Sequence, residues 1–255
     1  MIWKENDLQI FVEYTLDLGS KMMECGAEAW RADDTMMRML KAYGLRVLNS
    51  HTMATQTHIT VKTDAGEAFT SSRYVNPEKT GTDLQKLELI NAAARYICEE
   101  TPPVRDLPVI VSPSGPRWSW AILSGYLLGA GAFAIFFGGS IFDGIAAAAV
   151  ASVIYLMEQV RSMHEQNRTI YTIVACFVSG ILAQLLSALS WSIHLDMVMI
   201  GDIMLFIPGL ALVNGVRELF YADILTGIYR MIEAILGAGA ISVGYAAAIV
   251  LGGVI

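Results

Sequence analysis

The hydrophobic pattern of this chain changes near residue 116. Before that point, apolar residues recur at helix and strand spacings with charged residues between them. Beyond it, long stretches are almost continuously apolar, and a helix that crosses a bilayer needs roughly 17 to 25 such residues. The pattern therefore predicts two domains, a water-soluble one at 1–116 and a transmembrane one at 117–255.

The soluble region contains six predicted elements. Apolar residues at helical spacing predict a hairpin of two helices, and alternating Val, Ile, Thr and His predict three antiparallel strands with a tight turn at 64–67. A Thr-Asp pair then caps a last helix. The predicted helices are 8–26, 27–43 and 84–99, and the predicted strands are 46–53, 57–63 and 68–75. This order indicates a compact α+β domain.

The membrane region contains five predicted helices. Trp118, Trp120 and Tyr126 are typical of the interfacial belt at the start of a first span. The predicted spans are 118–137, 141–157, 169–190, 197–214 and a last one from 229 or 234 to 254. The expected fold class is a membrane α-helical bundle of five transmembrane helices preceded by a small cytoplasmic α+β domain.

The basic residues around these spans predict their orientation. All of them fall before the first span or in alternate loops, namely Arg105, Arg117, Arg161, Arg168, Arg217 and Arg230. Lys and Arg are enriched in cytoplasmic loops, so we expect a cytoplasmic N-terminal domain and a C-terminus outside the cell (inner) membrane. Residues 1–7 lack a signal peptide's basic start and apolar run, which agrees with this orientation.

Composition excludes several classes of function. Residues 1–116 hold 12 Lys and Arg against 16 Asp and Glu, and the net charge of the chain is -7, so no basic face is available for nucleic acid. Cys25, Cys98 and Cys176 have no metal-binding or redox spacing and are interpreted as buried apolar residues. His51 and His58 lie on separate predicted strands without further ligands, so no metal site and no cofactor is expected.

Several polar residues interrupt the apolar region. An ionisable group at the centre of a membrane-spanning helix raises the free energy of membrane insertion by roughly 2.5 to 3.5 kcal/mol. Asp143 and Asp202 fall within predicted spans, and Pro208-Gly209 should break the fourth. Beyond the break, two sets of residues at helical spacing each lie on one face of a helix. The sets are Asn214, Arg217 and Glu218, and Asp223, Gly227 and Arg230. They indicate either a polar transport path or an ion-pair network that closes the cytoplasmic ends of the spans.

The densest charge cluster of the soluble region surrounds Gly26. Its members are Glu24, Glu28, Arg31, Asp33 and Asp34. Glu28 and Arg31 stand three positions apart and can pair on a solvated helix face. The alternative is a ligand or partner site that uses Glu24, Glu28, Arg31 and Asp34.

Small residues recur at close-packing intervals in two of the predicted spans. The first span has Gly125 and Gly129, and the last has Ala240, Gly244, Ala248 and Gly252. Such stripes let helices approach closely. Packing within the chain and packing against a partner subunit explain them equally well.

Six stretches together resemble the threonine/serine exporter family, specifically the N-terminal half found in short, split members. They are 23–28, 31–34, 116–118, 136–139, 207–217 and 223–230. Asp33 stands where the family more often has Glu. The resemblance implies export of small carboxylate metabolites, either hydroxylated amino acids such as threonine and serine or a dicarboxylate such as succinate. It also implies a second small membrane subunit, and hence a hetero- or homo-oligomer surrounded by membrane lipid.

Three classes of function remain open on the sequence: a secondary exporter half, a membrane-bound hydrolase, and a non-transporting scaffold or sensor subunit. The sequence contains no activated nucleophile, which counts against the hydrolase, and no catalytic residue is assigned. The specific hypothesis is that Asn214 and Arg217 receive a substrate carboxylate, while Asp202 takes part in proton coupling.

Overall fold

A computed structural model of the chain describes residues 5–63, 66, 68–77, 80–109, 119–164, 167–190 and 192–253. The chain forms two compact units. The first comprises Met1–Pro113 with Leu210–Met231, and the second comprises Ser114–Gly209 with Ile232–Ile255. The units do not follow chain order, because a segment of the C-terminal half belongs with the N-terminal region.

The first unit contains the predicted α+β elements in the predicted order. Its helices are α1 (Glu5–Glu24), α2 (Ala29–Ala42) and α3 (Leu84–Glu100), and its strands are β1 (Arg46–Met53), β2 (Gln56–Lys62) and β3 (Ala68–Tyr74). A short 3-10 turn follows at Val104–Asp106. Most of the predicted turn at 64–67 lies outside the described residues.

The three strands form one antiparallel sheet in the order β1-β2-β3. Alternate residues of β2 are buried, with Ile59 and Val61 fully enclosed. The apolar stripe predicted on α1 is buried as well, including Phe11 and Leu16. The sheet and the helices therefore share one apolar core, which also contains Met36 of α2.

Gly26 fixes the loop between α1 and α2. Its φ of +89° lies in the left-handed region, which favours glycine. A Cβ at this position would lie 2.8 Å from the backbone oxygen of Gly81. Gly81 N–H donates to the Glu24 carbonyl (2.9 Å), and Asp83 N–H donates to the Cys25 carbonyl (3.2 Å). The end of α1 is thus held by the segment that leads into α3.

The regular elements described in the second unit are all helices. It contains α4 (Trp120–Phe136), α5 (Ile141–His164), α6 (Arg168–Leu189) and α7 (Leu195–Ile203). After a turn, α8 (Gly209–Phe220) leads to α9 (Ile224–Gly252), whose residues from Ile232 onward belong to this unit.

Three of the described helices are long and apolar enough to cross a membrane, within Ile141–Arg161, Arg168–Leu189 and Ile224–Gly252. The first predicted span corresponds to the shorter apolar helix α4, and Trp118 lies outside the described residues. The fourth predicted span is divided into α7 and α8. Pro208 precedes α8 and has no N–H to donate, so one continuous helix is not formed.

The small residues of α9 pack within the chain. A Cβ at Gly244 would lie 2.5 Å from the Ile173 carbonyl of α6, and Ala248 lies against Gly180 of the same helix. Gly125 of α4, in contrast, has open space around its Cβ position. The alternative of intrachain packing therefore holds for the stripe on α9.

Candidate functional site

Glu28 is a buried carboxylate at the start of α2. Its side chain makes no capping hydrogen bond to its own helix and is 5% exposed. It accepts instead from Arg217 Nη1 of α8, 189 residues away, and from Arg31 Nη1 at 3.2 Å. The predicted pair of Glu28 and Arg31 is present, but Glu28 does not lie on a solvated face.

The ionised state of Glu28 depends on these partners. Burial opposes ionisation, but the backbone N–H of Glu28, Arg217 and Arg31 outweigh it and lower the pKa of this carboxyl below its usual value. Glu28 therefore carries its negative charge at the near-neutral pH of a cytoplasm, and the ion pair is complete there.

A second carboxylate, from α8, caps the N-terminus of α2. Glu218 Oε1 accepts from Ala29 N–H at 2.6 Å, and Glu218 is fully buried. The free N–H groups and the dipole of a helix N-terminus favour a negative group there.

Two further side chains hold the backbone of the same loop. Asn214 Nδ2 donates to the Gly26 carbonyl at 3.2 Å, and Arg230 Nη2 donates to the Ala27 carbonyl at 2.6 Å. Arg230 also lies 4.0 Å from Glu218 Oε1. We call the group formed by Glu28, Arg31, Asn214, Arg217, Glu218 and Arg230 the loop-anchor cluster.

The hairpin of α8 and α9 is shaped to present these side chains. A Cβ at Gly227 would lie 2.9 Å from the Gly215 carbonyl, so the two helices approach closely where both have glycine. Asp223 precedes α9, and its Oδ1 accepts from Thr226 N–H at 3.1 Å. Asp223 and Gly227, both predicted as site residues, thus shape the hairpin that carries the cluster.

The remaining acids of the predicted cytoplasmic site lie apart from the loop-anchor cluster. Asp34 pairs with Arg38 at 2.8 Å and lines a polar cavity of about 370 Å³ between α2 and α3. Asp33, where the family more often has Glu, accepts from the Thr52 hydroxyl (2.7 Å) and the Ser50 hydroxyl (3.1 Å) of β1. The Glu24 carbonyl accepts from Gly81, as described above.

Asp202 forms a separate polar centre in the second unit. It is fully buried near the end of α7, and its Oδ2 accepts from Ser179 Oγ of α6 at 3.3 Å. Ser179 Oγ also lies 2.9 Å from the Tyr245 hydroxyl of α9. Asp202 Oδ1 has no hydrogen-bond partner among the described residues. Ser179 and Tyr245 were not predicted as site residues, because a lone hydroxyl in an apolar span carries no signal of its own.

Asp143 is not part of that centre. It is fully buried at the start of α5, and it accepts from Ser140 N–H and His194 N–H, both at 2.6 Å. Ser140 Oγ donates at 2.8 Å, and His194 Nδ1 lies 3.1 Å away. Asp143 therefore joins the loop after α4 to the residue that precedes α7, and its oxygens are fully occupied.

A comparison with protein families decides what kind of protein carries these centres. A family model described as "Putative threonine/serine exporter" (ThrE) matches residues 13–252, nearly the whole chain. The chain belongs to this threonine/serine exporter family. No curated protein and no solved structure gave a significant match.

Membership of the exporter family confirms the family resemblance drawn from the sequence and indicates a membrane protein that exports threonine/serine-type substrates, whereas the split, N-terminal-half type stays a prediction. The matched range includes the loop-anchor cluster, Asp202 and Asp143. A transporter family also agrees with the expectation that the chain is not an enzyme.

Replacing Asp143 by Asn should destabilise this exporter-family chain without touching the loop-anchor cluster. An amide nitrogen would face N–H donors that now meet a carboxylate oxygen, and an unsatisfied buried donor costs about 1 to 3 kcal/mol. Thermal unfolding of the purified full chain in detergent measures the effect. Asp196→Asn is the matched control, because Asp196 is exposed in the first turn of α7 and should change stability by less than about 0.5 kcal/mol. Equal melting temperatures for the two variants would refute the role given to Asp143.

Proposed function

We propose that the chain is a membrane subunit of a secondary exporter of small carboxylate metabolites, with threonine, serine or a dicarboxylate such as succinate as the substrate class. Family membership supports export. The observation that supports a coupled mechanism is the buried Asp202, with one unpartnered oxygen, just before the break between α7 and α8. Interrupted helices at membrane depth are typical of substrate and ion sites in transporters.

In this proposal, Asp202 carries the coupling proton. The residues described around it supply one hydroxyl donor, Ser179, and no cation. Because burying a charged carboxylate is costly, proton uptake and release at Asp202 changes the stability of its surroundings. That dependence is what a proton-coupled conformational change requires.

The substrate carboxylate is assigned to Arg217, with Asn214 beside it on the same helix. An arginine offers a planar fork of N–H donors that matches a carboxylate, and a lysine cannot reproduce that geometry. Arg217 already binds a carboxylate, that of Glu28, which supports its fitness for this role. The ion pair of Arg217 is formed with Glu28 of the N-terminal region, and the same guanidinium would bind the substrate in this proposal.

We further propose five spans, formed by α4, α5, α6, the α7–α8 pair and α9, with residues 1–116 in the cytoplasm and 117–255 in the membrane. Cysteine labelling tests this orientation. On a background with Cys25, Cys98 and Cys176 replaced by Ala, an impermeant thiol reagent added to intact cells should label Ser192→Cys and not Thr169→Cys. Both positions are exposed, so accessibility within the protein is matched. Labelling of Thr169→Cys alone would reverse the topology.

A second small membrane subunit is proposed as well, as in the split members of the family. The open space at Gly125 on α4 supports a further helix packing there, since small residues allow close approach. Uptake of labelled threonine or succinate tests the requirement. It is measured in liposomes that contain the purified chain with and without the candidate subunit. Equal flux from the two preparations would rule it out.

Asp202→Asn should remove the dependence of export on the proton gradient. Asn has the shape of Asp but cannot exchange a proton, so substrate exchange should continue while gradient-driven accumulation is lost. The measurement is uptake of labelled threonine or succinate into inside-out vesicles with and without an imposed proton gradient, normalised to membrane protein. Asp196→Asn serves as the control and should keep full gradient dependence. An Asp202→Asn variant that still responds to the gradient would contradict the assignment.

One observation supports the scaffold or sensor alternative. The loop-anchor cluster connects α8 and α9 to the loop that precedes α2. A sensor would keep these contacts and show no flux under any gradient. The same vesicle assay therefore separates the two functions.

A further inference from the structure

Arg217 is only partly used by Glu28. The ion pair involves Nη1 alone, and neither Nε nor Nη2 of Arg217 has a hydrogen-bond partner among the described residues. The Arg217 side chain is 50% exposed, whereas the Glu28 side chain is 6% exposed. A carboxylate from solution can therefore reach the guanidinium, and two parallel hydrogen bonds through Nη1 and Nη2 would take the Nη1 donor that Glu28 uses.

The hairpin of α8 and α9 also contains two buried side-chain oxygens that form no hydrogen bond to the described residues. Glu218 Oε2 and Thr226 Oγ1 are buried and lack a hydrogen-bond partner among the described residues. Buried polar atoms are nearly always paired in folded proteins, so an unpaired one calls for an explanation. The Glu218 oxygen can only accept a hydrogen bond, so it suits a donor such as the ammonium group of an amino acid and not the substrate carboxylate itself.

Starting from the proposed role of Arg217 in the previous subsection, we propose that Glu28 is a tethered competitor of the substrate. Its carboxylate occupies the position on Arg217 that a cytoplasmic substrate carboxylate takes. Binding of substrate displaces Glu28 and releases the loop at residues 26–29 from α8 and α9.

Displacement and release are linked because Glu28 is buried. Without Arg217, its charge would keep only Arg31 and the backbone N–H of Glu28 as partners, and a buried carboxylate that loses one of its cations is strongly destabilised. In this proposal Glu28 then moves toward water, and the backbone of its loop moves with it. The contacts of Asn214 with Gly26 and of Arg230 with Ala27 are lost in the same step.

The chemistry of the exchange defines the ligand class. One carboxylate replaces another on Arg217, so the charge on that side chain stays compensated throughout. Threonine and succinate both offer the required group, whereas a neutral solute offers nothing that competes with Glu28. Because binding of the carboxylate substrate releases the loop, the substrate opens its own site. A scaffold subunit would not need such a step.

Glu28→Gln tests the proposal, because Gln keeps the shape of the side chain and removes the competing charge. In inside-out vesicles from cells that make the complete exporter, the half-saturating concentration of threonine or succinate should fall about tenfold, which corresponds to about 1.4 kcal/mol. The maximal rate should not fall. The substrate whose curve shifts identifies the source of the carboxylate. An unchanged or higher half-saturating concentration would overturn the proposal.

Three further variants make the result interpretable. Glu24→Gln removes the same charge four residues away, where the Glu24 side chain forms no ion pair among the described residues, and it should leave the curve unchanged. If Glu28→Gln fails to accumulate, Glu28→Asp replaces it, since a shorter carboxylate reaches Arg217 less well and should lower the half-saturating concentration by a smaller factor. No decrease with Glu28→Asp would overturn the proposal equally.

Arg217→Lys separates this inference from the proposed function. If Arg217 receives substrate, Lys should raise the half-saturating concentration whether or not Glu28 competes. A raised value with Arg217→Lys together with an unchanged value with Glu28→Gln would reject the tethered competitor and keep the carboxylate site. Unchanged values for both variants would reject the role of Arg217 itself.

Discussion

Two carboxylates buried at one loop impose the main constraint on the first unit. Glu28 and Glu218 stand at the start of α2, and each would be unstable there without a cation or N–H donors. Their compensation comes from Arg31, Arg217, Arg230 and the Ala29 amide. Because Arg217, Glu218 and Arg230 belong to α8 and α9, the N-terminal region is complete only when the hairpin from far along the chain is in place. That dependence explains why Leu210–Met231 belongs to the first unit.

Local patterns were sufficient for the α+β elements and for the longest apolar helices. The stripe that contains Phe11 and Leu16 follows helical periodicity and is buried, and β1 begins and ends where alternation predicts. The pair of Glu28 and Arg31 was also predictable, since residues three apart on a helix are neighbours. Each of these features depends on residues close together in sequence.

The remaining features of the candidate site depend on contacts between residues that are far apart in sequence, which no local pattern contains. Arg217 was recognisable as a costly charge near a membrane span, but its partner lies 189 residues away and is chosen by tertiary packing. Ser179 and Tyr245 resemble ordinary residues of apolar helices until the fold brings them to Asp202. Asp143, expected among the transport residues, instead has four polar contacts that join two connecting segments.

The two polar centres differ in a way that suits different tasks. The loop-anchor cluster has opposite charges in close contact, so its strength depends on which carboxylate occupies Arg217. Asp202 has hydroxyl neighbours and an unpartnered oxygen among the described residues, so its surroundings respond to protonation instead. In the proposed function, the loop-anchor cluster responds to substrate and Asp202 responds to the ion gradient.

In the proposed mechanism, a carboxylate substrate loosens the loop that Glu28 holds. Hydrogen exchange at the backbone amides of residues 25–30 measures this directly, because Ala29 N–H is bonded to Glu218 while the loop is anchored. In the purified exporter, saturating threonine or succinate should accelerate exchange in this segment and leave exchange in the β-sheet unchanged. Unchanged or slower exchange at the loop, under conditions where the same substrate is transported, would contradict the account.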